Sequence, residues 1–372
     1  MTYAPACLLG GWASDRFGPR RTMAAAVAWW SVFTAATALC FNAATFVLQR
    51  LLFGLGEGPQ GATTARTMRN WFPQKEYATA VGFSFAFNPL GAAIGIPVVT
   101  WLLLLFDNEW RWPFVVLGVA GLLIALLWYG VVRDRPEQHP RVGAAELRHI
   151  SSDAVTPELD AADEDVPSLR DYVRHRSVWS NALAFFGFSW ILFMFLSWYP
   201  VFLVEQHGVD LADLAWAGSL PWIAGAVGTA LGGLLSDHLV RRTGAVFATR
   251  KWIAVVCLGG AALLVVPIAM VGSTLGAVVL LTVALLLLYL SNVQFFALVA
   301  ATVHTARLGS VTGFVHFCAN CAAIVAPALT GFLVADLGSW VLAFGVAAGL
   351  ALAGAVALAF ARPTTTTTGN VS

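Results

Sequence analysis

The sequence predicts an all-α membrane protein made of two related helical halves, and three observations lead to this prediction. Hydrophobic residues make up 59% of the 372 residues and charged residues only 11%, compared with about 25% charged in a typical globular domain. Apolar stretches long enough to span a bilayer follow one another along most of the chain, and two motifs occur once in each half. This composition excludes disordered, fibrous and nucleic-acid-binding proteins.

A membrane helix needs about 20 mostly apolar residues to cross the hydrocarbon core. Residues 1–13 are apolar but would form a helix of only about 20 Å, so we expect the chain to begin inside a membrane helix. Ten later stretches reach the required length and are predicted spans. They are residues 22–41, 44–65, 78–106, 113–132, 181–204, 214–235, 252–271, 275–300, 310–335 and 340–361.

The arginine and lysine residues predict which side of the protein faces the cytoplasm. When successive loops are placed on alternate sides, all 21 basic residues except Arg50 and Arg111 fall on one side. Cytoplasmic loops are enriched in Lys and Arg, so this side, called the basic side below, is predicted to be cytoplasmic. It includes the C-terminus and the one long polar segment, residues 133–177. We therefore expect a multi-pass protein of the plasma membrane.

Two motifs recur on either side of this polar segment. Residues 10–15, GGWASD, are repeated as residues 232–237, GGLLSD, and each copy is followed by a pair of arginines. The second motif repeats in the same way, with Gly82, Asn88 and Pro97 matching Gly313, Asn320 and Pro327. Parallel repeats that hold a substrate between them are one plan of secondary transporters.

These residues also resemble a known family. The sequence GWASDRFGPRR at residues 11–21 is similar to the signature loop between the second and third helices of the major facilitator superfamily. Further motifs resemble its anion:cation symporters, which include carriers of galactonate and glucarate. They are RLLFGLGEGP at 50–59, WFP at 71–73, EYATAVGF at 76–83, FLSWYP at 195–200 and GFVHF at 313–317. The resemblance covers residues 3–362 and implies the major facilitator fold.

Each half of that fold has six helices, whereas the first half of this sequence has four predicted spans and a fragment. We therefore expect the first helix and part of the second to be missing. The family's first helix normally contributes an arginine and an aspartate to the anion and proton sites, so part of the site is expected to be absent. The predicted divisions are an incomplete N-terminal half (1–132), a cytoplasmic connector (133–177), a six-helix C-terminal half (178–362) and a disordered threonine-rich tail (363–372).

Apart from groups near helix ends, Arg50 and Glu57 are the charged residues inside the predicted spans. A charge at mid-bilayer costs about 2.5–3.5 kcal/mol, so such groups usually face a protein interior or water. Their spacing of seven residues places them on one helix face, roughly 10.5 Å apart. One interpretation is a packing pair in a glycine-rich helix contact. We favour the other, in which Arg50 binds an anionic substrate and Glu57 gains and loses a proton; the family resemblance implies the same roles.

Several polar and aromatic residues are further candidates for a substrate cavity. Tyr3 matches a tyrosine that contacts substrate in the sugar-acid carriers, and Asn88 occupies a polar position where some relatives have glutamine. Trp198 and Tyr199 are expected to form an aromatic wall with a polar edge.

His316 stands where relatives usually have asparagine, which indicates a different substrate or pH response. It either contacts the substrate or forms a hydrogen bond to a neighbouring helix. The same two alternatives hold for Asn320, Asn292 and Gln294, because polar side chains in a bilayer also join helices.

Asp15 and Asp237 occupy equivalent positions in the first repeated motif, each near a helix end with basic residues just beyond it. We expect them to form charge pairs that close a cytoplasmic gate, together with Arg16, Arg20 and Arg241. Helix capping is the alternative interpretation, and the two are compatible.

The leading functional hypothesis is proton-coupled symport of a small organic anion by alternating access, by a monomer whose partners are the anion, protons and the lipid bilayer. The alternatives are proton-driven efflux of drugs or metabolites, which would not require Arg50, and a truncated protein that does not transport. An enzyme is not expected, because the sequence offers little support for one, and an ATP-driven pump is unsupported because no glycine-rich loop ends in Gly-Lys. No cofactor or metal site is predicted, and the five cysteines lie in apolar stretches that suggest no disulfide.

Overall fold

The computed structural model describes residues 2–151 and 166–363. The predicted tail (363–372) after Pro363 and the middle of the predicted connector lie outside these ranges. The first half begins with a short helix and contains six helices in all. They are α1 (Tyr3–Phe17), α2 (Pro19–Ala36), α3 (Ala43–Glu57), α4 (Gln60–Trp71), α5 (Tyr77–Leu105) and α6 (Arg111–Val131).

Two short helices lie in the described parts of the connector, and seven helices follow it up to Pro363. The connector helices are α7 (Ala144–Ser151) and α8 (Leu169–Arg174). The second half consists of α9 (Arg176–His207), α10 (Leu211–Thr243), α11 (Val246–Met270), α12 (Thr274–Thr302), α13 (Leu308–Asn320), α14 (Ala322–Ala335) and α15 (Trp340–Ala359).

Within the two described ranges, nine helical segments are long and apolar enough to cross a membrane. The all-α membrane architecture predicted from the composition is therefore confirmed. The predicted span 44–65 is wrong as a continuous apolar helix, because α3 ends at Glu57 and α4 begins only at Gln60. Pro59 lies in this break and has no N–H to donate to a helical hydrogen bond. The predicted span 310–335 lies within one segment that is long and apolar enough to cross a membrane, Thr305–Ala335, which is interrupted at Cys321 between α13 and α14.

Most helices pack on other helices of the same half. In the first half α2 packs against α6 and α3, and in the second half α12 packs against α10 and α11 while α9 packs against α15. The largest cluster of buried side chains lies mostly in the second half and includes Phe188, Phe195 and Phe202, whereas a separate small cluster in the first half consists of Met23, Val27 and Ala125. The halves meet where α1 packs on α13 and where α5 packs on α10.

The repeated glycines allow these two contacts between the halves. A Cβ atom at Gly313 would lie 2.5 Å from the carbonyl oxygen of Cys7, and a Cβ atom at Gly82 would lie 2.8 Å from that of Thr229. Small residues let membrane helices approach closely. The second repeated motif therefore supplies equivalent close contacts, one from each half.

Candidate functional site

A cavity of about 190 Å³ lies between the two halves. Its wall contains no Asp, Glu, Lys or Arg side chain from the described part of the chain, but neutral polar groups come from both halves. They are Tyr3, Gln60, Asn88, Ser189, Thr229, Tyr289, Asn292, His316 and Asn320. Aromatic rings, including Phe85, Phe185 and Phe296, complete the wall. Such an apolar enclosure with a few convergent polar groups is typical of a small-molecule site.

Five residues singled out in the sequence meet in this cavity, namely Tyr3, Asn88, Asn292, His316 and Asn320. The Gln294 amide is instead buried and donates to the carbonyl oxygen of Gly232 at 3.0 Å. The sequence left two roles open for Asn292 and Gln294. Asn292 lines the cavity, whereas Gln294 forms a hydrogen bond between helices.

The His316 ring is fixed by aromatic neighbours. It stacks on Phe185 with a centroid distance of 5.5 Å and an interplanar angle of 15°, and it meets the Tyr3 ring edge to face with a centroid distance of 6.1 Å. Its Nδ1 atom is buried and has no hydrogen-bond partner. A buried polar atom without a partner costs about 1–3 kcal/mol, so this nitrogen is a candidate partner for a ligand that reaches it.

Gly61 of the first half lies next to this imidazole. A Cβ atom at Gly61 would lie 2.7 Å from His316 Nδ1. Replacing Gly61 with valine should therefore force the ring against Phe185, at an overpacking cost of about 1–3 kcal/mol. We expect the transport rate to fall about tenfold or more. Gly91→Val is the matched control, because a Cβ atom at Gly91 meets nothing within 4 Å; equal losses in both variants would argue against a special role for Gly61.

Arg50 and Glu57 do not line the cavity. Arg50 is exposed, with its guanidinium 4.9 Å from the ring centroid of Phe46 and 5.8 Å from that of Phe53. Glu57 is partly buried at the end of α3, close enough to Tyr3 for an electrostatic interaction, and it also interacts with Arg50 without a direct ion pair. Glu57 thus lies beside a residue of the cavity wall, and Arg50 lies two turns farther from the basic side.

The glycines around Glu57 allow close contact between helices, as predicted by the interpretation of this region as a glycine-rich helix contact. A Cβ atom at Gly54 would lie 2.8 Å from Thr2 Oγ1, and one at Gly58 would lie 2.5 Å from Ala6 Cβ. Because α3 and α1 are in such close contact, the side chain of Glu57 is held next to α1. Close packing of α3 on α1 is therefore compatible with a functional role for Glu57.

Trp198 and Tyr199 lie outside the cavity wall that the sequence led us to expect. The indole of Trp198 donates to the carbonyl oxygen of Pro327 at 2.9 Å, and its ring fits against Gly331. Tyr199 is buried beside Phe195, with a centroid distance of 6.1 Å. Both rings pack within the second half because α9 turns this face towards α14 and the hydrophobic core.

Asp15 joins the halves on the basic side. Its carboxylate accepts hydrogen bonds from the backbone N–H of Gly309 at 2.9 Å and from that of Ser310 at 2.7 Å, and it forms an ion pair with Arg66. Gly309 and Ser310 belong to the first turn of α13, where backbone N–H groups have no partner within the helix. A carboxylate from the first half therefore caps a helix of the second half.

Asp237 makes the reciprocal contact. Its carboxylate accepts from the backbone N–H of Thr79 at 2.6 Å and of Ala78 at 3.3 Å, in the first turn of α5. Arg250 lies 3.6 Å away, and both side chains are fully buried. The two aspartates of the repeated motif thus each cap the opposite half, and charge pairing and capping occur together.

The buried Asp237–Arg250 pair allows a stability prediction. Asp237→Ala would leave Arg250 buried without its acidic partner, which typically costs about 3–5 kcal/mol. We expect a clearly lower thermal unfolding midpoint in detergent. Glu109→Ala removes the exposed pair with Arg111, whose side chains are 49% and 46% exposed, and should cost less than about 1 kcal/mol. Similar midpoints for the two variants would contradict this account of the pair.

The basic residues nearest to the two aspartates in the sequence differ from one another in their contacts. Arg241 donates to the carbonyl oxygen of Lys75 at 3.1 Å and so reaches the other half. Arg20 instead donates to the carbonyl oxygen of Tyr129 at 2.6 Å and stays within the first half, while Arg16 is exposed. Arg20 turns away because α2 begins against the end of α6.

The model of the family described as Major Facilitator Superfamily matches residues 1–305. The chain belongs to this superfamily. The hexuronate transporter of Bacillus subtilis (strain 168) is 36% identical over 97% of this chain and 83% of its own length. A probable L-galactonate transporter of Escherichia coli (strain K12) is 30% identical over 97% of this chain and 78% of its own length.

A solved structure of this superfamily has the same fold. The proton:xylose symporter XylE bound to 6-bromo-6-deoxy-D-glucose aligns with a TM-score of 0.70 at 15% identity, covering 95% of this chain and 83% of the symporter. The resemblance inferred from the loop motifs is therefore confirmed. This superfamily member is a multi-pass membrane transporter rather than an enzyme.

Sequence reasoning missed several residues of the site. Arg66 and Arg250 are the arginines that pair with the two aspartates, and Gln60, Ser189, Thr229 and Tyr289 also line the cavity. Arg66 could have been noticed, since it lies in the polar run of α4, three residues after Thr63. Neither arginine could be paired with its aspartate from the sequence, because each partner lies on another helix.

Proposed function

We propose that this superfamily transporter carries a sugar acid or a related small carboxylate together with protons by alternating access. The observation that supports this most is the cavity of neutral hydrogen-bonding groups between two halves that are joined on the basic side. The names of the hexuronate and L-galactonate relatives suggest the substrate class.

The cavity suits the hydroxylated part of such a substrate. Amides, hydroxyls and the free Nδ1 atom of His316 offer donors and acceptors to sugar hydroxyls. Aromatic rings of the second half cover the apolar faces of the sugar. The absence of charge from the described wall favours neutral hydroxyls there, and the carboxylate is bound elsewhere.

Arg50 is the proposed partner of that carboxylate. Its guanidinium keeps its charge and presents a planar fork that matches a carboxylate. It lies on α3 farther from the basic side than Glu57, exposed beside two phenylalanine rings. We place it at the entrance through which the anion reaches the cavity from the side opposite the basic side.

Glu57 is the proposed proton carrier. It is partly buried, forms no direct ion pair with a described residue, and interacts electrostatically with both the exposed Arg50 and the cavity residue Tyr3. When Glu57 is ionised, its charge offsets that of Arg50 and weakens the attraction for an anion. When it is protonated, Arg50 is free to attract the carboxylate, so proton and anion binding favour each other.

Asp15 and Asp237 are the proposed gate. Their reciprocal caps hold the halves together on the basic side, which we propose to be cytoplasmic in the plasma membrane. The helix α14 follows α13 after the break at Cys321. It packs on α9 and α15 of its own half. Rocking of the halves about the cavity would break the two caps and open the basic side. A monomer is sufficient for this mechanism.

Uptake into proteoliposomes tests the proposed substrate class. With an inward proton gradient, we expect accumulation of a radiolabelled hexuronate or galactonate that stops when a protonophore removes the gradient. The corresponding uncharged sugar should not accumulate, because it lacks the carboxylate for Arg50. Accumulation of the uncharged sugar to the same level, or of no acid at all by well-folded protein, would overturn the proposal.

A further inference from the structure

A second cavity lies on the basic side, remote from the transport cavity. It has a volume of about 500 Å³ and is formed where α9 begins and α15 ends. Its wall includes Arg176, Arg362, His175 and Ser177, together with Phe360. No acidic side chain from the described residues lines it.

The groups around this cavity favour an anion. The N-terminus of α9 contributes backbone N–H groups and the positive end of a long helix, and two arginines stand beside it. Lys251 donates to the carbonyl oxygens of Ala359 and Ala361 at 3.0 and 3.2 Å. The negative end of α15 is thereby neutralised, so it does not repel an anion bound next to it.

Ser177 is a second and independent indication of a ligand. Its Oγ atom has no hydrogen-bond partner in the structure, and the residue forms part of the cavity wall. Buried hydroxyls are normally hydrogen-bonded. An acceptor oxygen placed between Arg176 and Arg362 would satisfy this hydroxyl.

The surroundings place the cavity at the depth of lipid headgroups. Trp179 is 50% exposed one turn into α9, and Trp252 is 51% exposed near the start of the neighbouring α11. Exposed tryptophans are enriched at the membrane–water interface. Phe360, at the rim of the cavity, is 72% exposed. A ligand bound here would thus have its charged part on the arginines and an apolar part beside these rings.

We propose that this cavity binds the phosphate group of an anionic phospholipid, with Arg176 and Arg362 on the phosphate oxygens and Ser177 donating to one of them. Basic pockets between membrane helices on the cytoplasmic side are suited to such headgroups. The site shares no residue with the transport cavity, so it does not depend on the substrate proposed above.

Lipid titration of the full-length protein, followed by native mass spectrometry, tests this site. We expect phosphatidylglycerol to bind more tightly than phosphatidylcholine. Replacing Arg176 and Arg362 together with glutamine should weaken phosphatidylglycerol binding about 30-fold, at about 1 kcal/mol per basic residue. The matched control, Arg141→Gln with Arg148→Gln, removes two exposed connector charges and should change it little.

Three further measurements decide the outcome. Arg176→Lys with Arg362→Lys, which keeps both charges, should retain most of the binding, and Ser177→Ala should weaken it. Equal binding of the two lipids by the unaltered protein would overturn the proposal even if the glutamine variant failed to fold. Displacement of phosphatidylglycerol by millimolar inorganic phosphate would indicate a site for free phosphate instead, and would overturn it as well.

Discussion

Replacing Glu57 with glutamine is expected to abolish accumulation of the anion driven by an inward proton gradient. Glutamine has nearly the same shape but cannot exchange a proton, so the coupling step is lost while the packing of α3 on α1 is kept. Exchange of labelled for unlabelled anion across the membrane does not require net proton movement. We therefore expect Glu57→Gln to exchange the anion near the normal rate while its gradient-driven accumulation falls to background.

The two readouts separate a coupling role from a structural role. Glu205→Gln is the matched control, since it removes an exposed acid from the side opposite the basic side, and it should leave both activities intact. If Glu57→Gln still accumulates the anion in response to the proton gradient, Glu57 is not the proton carrier. If both accumulation and exchange disappear, its role is in folding or in binding rather than in coupling.

Replacing Arg50 with alanine should have the second large effect, on binding of the substrate. Hydrogen bonds to a charged group contribute about 1.5–3 kcal/mol, so the apparent affinity for the anion should fall about 10- to 150-fold. Arg50→Lys should recover part of this loss, because it restores the charge without the planar fork. Substrate-dependent changes in tryptophan fluorescence or in thermal stability would measure binding without requiring transport.

Arg111 provides the control for this experiment. It is also exposed and lies over an aromatic ring, with its guanidinium 4.5 Å from the ring centroid of Trp110. Arg111→Ala should leave the affinity unchanged. An equal loss in the two variants would mean that the general positive charge, and not a contact at Arg50, attracts the anion. Unchanged affinity in Arg50→Ala would remove Arg50 from the site.

The fold could be predicted from the sequence because its determinants are local. The length of an apolar run decides whether a helix spans the bilayer, and the repeated GG…SD motif predicts two related halves. The same motif predicted that Asp15 and Asp237 act in equivalent ways, and both do cap the opposite half. The break at Pro59 could also have been predicted from the sequence, because proline disrupts a continuous helix.

The partners within the site could not be predicted, because they depend on packing between distant segments. Arg66 and Arg250 pair with the aspartates, whereas the arginines nearest in sequence do not, and helix spacing gives no information about such contacts. Trp198 was expected in the cavity but packs on Gly331, because the rotation of α9 is set by its neighbours. The sequence placed Arg50 and Glu57 correctly on one helix but could not show that both lie outside the cavity wall.

The central claim is that the two halves rock about the cavity and that the reciprocal caps hold the basic side closed. Spin labels at Arg16 and Ala306, which are exposed positions in opposite halves, would report this motion by double electron–electron resonance in lipid bilayers. The five native cysteines are replaced first. We predict a population at longer distance when anion and protons are present, and the same population without ligand in Asp15→Asn with Asp237→Asn. A distance distribution that stays the same under all of these conditions would contradict the account.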